Sequence, residues 1–160
     1  MKNIKFCILL FAAIAASCST AGAVWDDSTP PEQSAKIYFS DFKPAAYNGT
    51  LFDSTDGKVG FGCNYIFTFP AGNVDFSGDI DWSRRGTNST LIFEHHNAAF
   101  SCDLGANEEY LAYVIYKISD DKKSRIWGVN IYNQRPPKNG VPNRDNFIGF
   151  IPFDPPVISN

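Results

Sequence analysis

The sequence has almost no long apolar runs. The longest, Phe6–Ala16, follows Lys2 and Lys5 and gives way to small polar residues. A membrane-spanning helix needs about 20 apolar residues, so this run is too short, and no later segment approaches that length. A short apolar run after basic residues is instead typical of a secretory signal peptide. The sequence therefore predicts an exported chain without a membrane span.

Two cleavage sites follow the apolar run. Ala21-Gly22-Ala23 fits the small-x-small rule, which predicts a signal peptide over residues 1–23 and a single secreted β domain over residues 24–160. Alternatively, Ala15-Ala16-Ser17-Cys18 resembles a bacterial lipoprotein cleavage box, although Ala15 stands where such boxes usually have Leu. The first site predicts an extracellular protein. The second predicts a periplasmic or outer-membrane lipoprotein anchored through Cys18.

Basic residues are also scarce. The chain has 14 Lys and Arg against 17 Asp and Glu, a formal net charge of −3, and removing Lys2 and Lys5 with the signal peptide would lower it to −5. Proteins bind nucleic acid largely through Lys and Arg contacts to phosphates. The sequence therefore predicts no nucleic-acid partner.

Only four cysteines are present, and signal cleavage would leave two of them, Cys63 and Cys102. They lack Cys-x-x-Cys spacing, which disfavours a metal site. In an oxidising compartment this pair predicts one disulfide, closing a loop of about 40 residues and contributing roughly 4 kcal/mol in the chain-entropy account. Two buried free thiols are the alternative.

Hydrophobic periodicity predicts strands. Apolar and aromatic residues alternate with others in Lys58–Phe69 and again in Val74–Trp82. Between these segments Pro70-Ala71-Gly72-Asn73 predicts a turn, and so a hairpin. A second hairpin is predicted from Tyr110–Ile118 and Arg125–Tyr132, with a charged tip.

Other segments complete the predicted fold. Further strands are predicted over Ala35–Phe42, Thr90–Glu94, Ala98–Cys102 and Phe147–Phe153, and loops over Ser83–Ser89 and residues 133–146. No segment of the mature chain has a capped helical period. The sequence therefore predicts an all-β fold, an antiparallel β-sandwich of about eight short strands with one disulfide.

Few residues suit catalysis. Both histidines lie in Glu94-His95-His96. On a regular strand Glu94 and His96 share a face, where they would suit a base and acid pair for phosphodiester or glycosidic cleavage. A polar strand end beside a turn is the alternative. No nucleophile turn, phosphate loop or dinucleotide fingerprint occurs, and no cofactor is predicted.

A second candidate is an acidic stripe on one face of the predicted strand Val74–Trp82. It consists of Asp75, Ser77, Asp79 and Asp81. Paired carboxylates would suit glycosidase chemistry, and hard oxygen ligands would suit calcium. The alternative is an ordinary solvated sheet face, so no metal site is predicted.

Two sequons mark candidate modification sites. Asn48-Gly49-Thr50 and Asn88-Ser89-Thr90 predict glycans on Asn48 and Asn88 if the host is eukaryotic. In a bacterial host these two sequons would carry no meaning.

Aromatic residues are abundant, and one polar loop combines them with arginine. Trp and Arg dominate interface hot spots, so we predict a binding surface formed by Trp82, Arg84, Arg85 and Asn88, with Tyr132–Arg135 as a weaker candidate. The sequence thus favours a secreted, non-enzymatic binding module for an extracellular protein or carbohydrate, such as a microbial effector or surface-interaction protein. A small secreted RNase-like or glycosidase-like hydrolase, using Glu94 and His96 or the acidic stripe, is the alternative.

Overall fold

The computed structural model describes residues 23–24, 29–51, 65–87, 89–138 and 140–159. None of the helices among these residues is long and apolar enough to cross a membrane. Two short 3-10 turns occupy Pro31–Gln33 and Arg144–Asn146. The strands of the described residues are β1 (Ala23–Val24), β2 (Ser34–Ser40), β3 (Phe42–Tyr47), β4 (Thr50–Leu51), β5 (Tyr65–Pro70), β6 (Gly72–Arg85), β7 (Thr90–Leu104), β8 (Glu109–Ile118), β9 (Arg125–Tyr132), β10 (Phe147–Pro152) and β11 (Ile158–Ser159).

These strands form two sheets, so the all-β prediction is confirmed. The first sheet has the order β1-β5-β2-β8-β9-β10, with β11 also beside β9, and the second has the order β4-β3-β6-β7. Most neighbours are antiparallel, but β1 with β5 and β2 with β8 are parallel. The predicted antiparallel arrangement is wrong at these two pairs.

A shared aromatic core lies between the two sheets. Phe39 of the first sheet contacts Phe76 of the second with ring centroids 5.2 Å apart, and Phe69 contacts Phe76 at 5.0 Å. All three side chains are fully buried. Edge-to-face contacts of this kind contribute about 1 kcal/mol each beyond the buried area. The arrangement of two sheets around one core is consistent with a β-sandwich.

A second aromatic group lies around Trp127. Its indole stacks on Phe93 with centroids 3.8 Å apart, and meets Trp82 edge-on at 5.2 Å. The indole N–H donates to Ser159 Oγ at 2.9 Å. This group connects β6 and β7 of the second sheet to β9 and β11 of the first.

The predicted hairpin between Lys58–Phe69 and Val74–Trp82 is wrong. β5 pairs with β2 in the first sheet, whereas β6 pairs with β3 and β7 in the second. The chain changes sheets at Gly72, whose φ of 128° is accessible essentially to glycine alone. Residues 58–64, which include Cys63, lie outside the described residues.

The predicted strand Ala35–Phe42 also divides between the two sheets. β2 ends at Ser40 and β3 begins at Phe42. Between them Asp41 adopts a φ of 62°, a left-handed conformation that Asp tolerates better than most residues. The Asp41 carbonyl then accepts a hydrogen bond from the Asp81 N–H at 3.0 Å. This corner therefore lies directly against β6.

β7 continues through the histidines, so the prediction of two separate strands, Thr90–Glu94 and Ala98–Cys102, is wrong. On β6, Asp79 faces two residues of β7, His96 and Asn97, instead of one. This extra residue is a β-bulge, and Asn97 accommodates it with a φ of 59°. At the bulge the alternation of inward and outward side chains shifts by one residue. Phe93 before the bulge and Phe100 after it therefore both face the core.

Other strand predictions are confirmed. β8 and β9 form the predicted second hairpin, and β8 lies between β2 and β9 as a central strand. On β6 the alternation is as expected, with Val74, Phe76, Ile80 and Trp82 buried. However, β6 continues to Arg85, so the predicted loop over Ser83–Ser89 is too long.

We expect a methyl group at Gly128 of β9 to destabilise the fold. Its β-carbon would lie 2.2 Å from the Ile151 carbonyl oxygen and 2.8 Å from the Pro152 α-carbon. Overpacking of this kind costs about 1–3 kcal/mol, which urea unfolding of Gly128→Ala will measure. In the control Gly149→Ala, the new atom meets nothing within 4 Å. Equal unfolding midpoints for the two variants would contradict this close approach of β9 and β10.

Candidate functional site

The residues of the predicted binding surface differ in their environments. Trp82 is only 7% exposed and belongs to the core. Arg84 is partly exposed, Arg85 is exposed, and Asn88 lies outside the described residues. The structure therefore places Arg85 in solvent at the end of β6 and uses Trp82 largely for packing. A binding role for this set stays a prediction.

Arg84 makes hydrogen bonds and an ion pair within the fold. Its Nη2 donates to Asp41 Oδ2 at 2.8 Å and to the Tyr113 hydroxyl, and its Nη1 donates to the Ser83 carbonyl at 2.7 Å. The guanidinium also lies 5.0 Å from the Trp82 ring centroid. Burial alone would lower the pKa of Arg84, but the carboxylate of Asp41 and the Tyr113 hydroxyl outweigh it and raise the pKa. Arg84 thus connects β6 to the β2–β3 corner and to β8.

A groove opens at the end of the β6–β7 hairpin, beside the second aromatic group, and we call it the tip groove. Its volume is about 160 Å³. Aromatic walls, an arginine and two aliphatic side chains line it together with Ser159: Trp82, Phe93, Tyr116, Trp127, Arg125, Leu91 and Ile92. The Arg125 guanidinium lies over the Tyr116 ring, 5.4 Å from its centroid. Leu91 and Ile92 are 56% and 65% exposed, so the rim presents apolar surface to solvent.

A second concave site lies at the β-bulge, and we call it the bulge cavity. Its volume is about 220 Å³. Phe42 and Ile80, both buried core residues, contribute apolar walls. The polar lining consists of Asp41, Lys43, Tyr65, Asp79, Asp81, Glu94 and His96. Glu94 and His96 therefore meet Asp79 and Asp81 of the acidic stripe in one cavity.

The bulge brings His96 against Asp79. His96 Nδ1 lies 3.2 Å from Asp79 Oδ1, and the Asn97 N–H donates to the same oxygen at 3.3 Å. The His96 side chain is 79% exposed. On the other side of β6, Lys43 of β3 is the ladder neighbour of Asp79. Asp79 thus lies between two basic side chains, and it is able to orient the imidazole.

Asp81 and Glu94 are directly opposite each other in the β6–β7 ladder. Such neighbours have β-carbons about 5 Å apart, so their carboxylates come within the range that glycosidases use. Both side chains are exposed. Like charges in this position are unfavourable, and a cationic group nearby would relieve the repulsion.

Only part of the acidic stripe lines the bulge cavity. Asp75 lies outside the bulge cavity and accepts a hydrogen bond from Ser101 Oγ at 2.5 Å. Ser77 does not line the cavity either. Within the described ranges, no group of three His, Cys, Asp or Glu side chains is arranged to hold a metal ion.

The structure describes Asn48 of the predicted glycosylation sites and Cys102 of the predicted disulfide. Asn48 is exposed in the turn between β3 and β4, where its Oδ1 accepts from the Asp75 N–H at 2.9 Å. Cys102 is buried and has no disulfide partner among the described residues, and as a thiol its pKa rises to about 12 because of burial and the nearby carboxylates of Asp103 and Asp75. Cys63 lies outside the described residues, so the disulfide stays a prediction.

The weaker candidate, Tyr132–Arg135, contributes an ion pair. Arg135 donates to both carboxylate oxygens of Glu109, with Nη2 2.8 Å from Oε1. Partial burial favours the neutral acid, but hydrogen bonds from Arg135 and Tyr38 outweigh it and lower the pKa of Glu109. Arg135 therefore tethers the segment after β9 to the start of β8.

Sequence reasoning missed several lining residues. Asp41, Lys43 and Tyr65 reach the bulge cavity from three separate segments, and no local pattern connects them with Glu94. Tyr116 and Trp127 were assigned to strands, but their convergence on Trp82 requires knowledge of how the sheets pack. The alternation in β6 was the only signal that placed Asp79 and Asp81 on one face.

Comparison of the chain with protein-family models, with curated proteins and with solved structures finds no match.

We expect Arg84→Ala to destabilise the fold and Arg85→Ala to leave it nearly unchanged. The first change removes a partly exposed ion pair and a hydrogen bond between strands, an expected loss of about 1 kcal/mol. The second removes an exposed side chain, with an effect within about 0.5 kcal/mol. Thermal or urea unfolding measures both. Unchanged stability of Arg84→Ala would contradict the connection that Arg84 makes between the sheets.

Proposed function

We propose that the protein is a secreted binding module that captures an extracellular protein through the tip groove. The observation that carries the proposal is the composition of this groove, in which the half-buried Tyr116 and Arg125 lie beside an exposed apolar rim and are backed by the buried Trp82 and Trp127. Trp, Tyr and Arg are the residues in which binding energy concentrates at protein interfaces. Contiguous exposed apolar surface around such a site is typical of interaction surfaces.

A protein suits this groove better than a carbohydrate does. Sugars bind by stacking on exposed aromatic faces, but here Trp127 is 2% exposed and one of its faces is covered by Phe93. The most exposed lining residues are the aliphatic Leu91 and Ile92. Aliphatic side chains match apolar groups of a protein surface, and Arg125 adds a donor for a carboxylate or carbonyl.

Support for secretion comes from the amino terminus, where a basic start precedes a short apolar run. We expect the intact mass of the mature protein to begin at Val24 and to rise by about 2 Da on reduction, because one disulfide would join Cys63 and Cys102. A mass beginning at an acylated Cys18 would instead identify a lipoprotein. A mass unchanged by reduction would mean that both thiols are free.

The binding proposal is tested with a panel of extracellular proteins and a glycan array. For any captured protein we expect Arg125→Glu to weaken binding at least about tenfold, because it reverses a charge inside the groove. The matched control is Arg144→Glu, which makes the same charge change in the exposed turn before β10. Equal loss in both variants, equal capture by Arg125→Glu and wild type, or capture of glycans alone would overturn the proposal.

A second candidate function is supported by the bulge cavity. Glu94, His96, Asp79 and Asp81 line one concave site, as general acid–base hydrolysis of a phosphodiester or glycosidic bond requires. His96, oriented by Asp79, would donate a proton to the leaving group, and Glu94 would activate water or attack the sugar.

This second candidate predicts hydrolysis of at least one substrate in an RNA and polysaccharide panel. Glu94→Gln and His96→Gln are each expected to lower the rate at least about 100-fold. Asp75→Asn is the control, because Asp75 lies on the same face of β6 but outside the cavity. Activity that survives both cavity substitutions would exclude this site, and inactivity of the wild type on the whole panel would exclude the function.

A further inference from the structure

β7 forms an edge of the second sheet, and only part of that edge is covered. In the part of the chain that the structure describes, β7 pairs with β6 alone. At Ala99 the carbonyl accepts a hydrogen bond from the Asp154 N–H at 2.8 Å, so the segment after β10 covers this half of the strand. The other half, Thr90–Glu94, has no backbone partner beyond β6 among the described residues.

The direction of the free backbone groups follows from the ladder. The Asp81 N–H donates to Asp41, and therefore points away from β7. Because successive residues of a strand direct their backbone groups to alternate sides, Trp82 directs its groups towards β7. Its ladder partner Phe93 then faces β6. The residues whose N–H and C=O groups point outward are Thr90, Ile92 and Glu94.

Between Thr90 and Phe93 this free edge lacks the features that normally prevent strand pairing, although Glu94 at its end is charged. Exposed edges are usually protected by Pro, Lys, bulges or a covering segment. The stretch Thr90-Leu91-Ile92-Phe93 contains no Pro or Lys, and the bulge lies beyond it, at His96 and Asn97. Leu91 and Ile92 are the two most exposed apolar residues of β7.

We propose that Thr90–Glu94 pairs with the same stretch of a second copy of this chain, antiparallel around a two-fold axis at Ile92. Ile92 would then face Ile92 of the second copy as a hydrogen-bonded pair, and Thr90 would face Glu94 at both ends. Each of these residues directs its backbone groups outward, so the register satisfies the free N–H and C=O groups. The two four-stranded sheets would become one continuous sheet.

Charge complementarity favours this occupant and this orientation. Within one copy the ladder places Arg85 beside Thr90, and Asp81 beside Glu94. The edge therefore has a basic end and an acidic end. Antiparallel pairing brings the acidic end of each copy beside the basic end of the other, with Arg85 reaching across Thr90 towards Glu94. Parallel pairing would place like charges together.

Self-pairing goes beyond the proposed function and does not depend on it. The tip groove opens between β7 and the first sheet, and Arg125 and Tyr116 of its wall lie on β9 and β8. Pairing through the backbone of β7 would cover Ile92 of the apolar rim but leave Leu91, Arg125 and Tyr116 in place. The dimer would present two tip grooves side by side.

Sedimentation of the purified protein over a range of concentrations tests the proposal. We expect the mass to approach twice the monomer mass as concentration rises, and Ile92→Lys to remain monomeric under the same conditions. The control Ile148→Lys changes an equally exposed isoleucine, 59% against 65%, on β10, and is expected to dimerise like the wild type. A monomeric wild type at all concentrations, or a dimer that survives Ile92→Lys, would overturn the proposal.

A charge exchange distinguishes this register from other dimers. Arg85→Glu and Glu94→Arg are each expected to weaken dimerisation, because each places like charges together, and the double variant is expected to restore it. Circular dichroism confirms that all variants fold. Failure of the double variant to recover would overturn the register. Arg125→Glu is expected to dimerise normally, so loss of partner capture and loss of self-pairing are separate results.

Discussion

The extra residue in β7 determines which side chains of the β6–β7 hairpin face the core. Side chains in a strand alternate between faces, so a shift of one residue moves every later side chain to the opposite face. Because Asp79 faces both His96 and Asn97, Phe93 and Phe100 both point into the core despite their odd separation. Without the bulge, one end of β7 would bury Glu94 and Ile92 in place of Phe93. The position of the bulge cavity and the composition of the tip groove are both consequences of this single irregularity.

The second constraint is the packing around Trp127. This indole contacts Phe93 and Trp82 of the second sheet and donates to Ser159 of β11. Rings held by several neighbours lose little conformational freedom when a ligand binds, so a groove built on them is preorganised. Arg84 adds a connection from the same hairpin to Asp41 and Tyr113. The hairpin end is therefore held against the first sheet, which makes it suitable for a binding surface.

The sequence predicted local strands well and their partners poorly, for a physical reason. Alternation in Val74–Trp82 reports that one face is buried, and burial of Val74, Phe76 and Ile80 agrees. It carries no information about which strand lies alongside. The chain passes from one sheet to the other at Asp41 and at Gly72, where the backbone is left-handed. A Pro-Ala-Gly-Asn segment allows such a conformation in an ordinary hairpin turn as well, so the sequence does not distinguish the two. The bulge was missed because His95-His96-Asn97 is polar, as turns are, and only the long-range ladder with β6 keeps it in a strand.

The same ladder explains why the two halves of β7 differ at their outer edge. After the bulge, the inward-facing Ala98 and Phe100 bring β7 close to the segment that follows β10, and Asp154 covers Ala99. Before the bulge, the large rings of Phe93 and Trp127 occupy the space between the sheets. The covering segment passes instead to β9, where the Val157 carbonyl accepts a hydrogen bond from the backbone N–H of Trp127 at 3.0 Å. The aromatic packing that creates the tip groove thus also leaves the backbone of Thr90–Glu94 open. If two copies pair there, each groove is held next to another, and a partner with two binding sites would bind the pair more tightly than either groove alone.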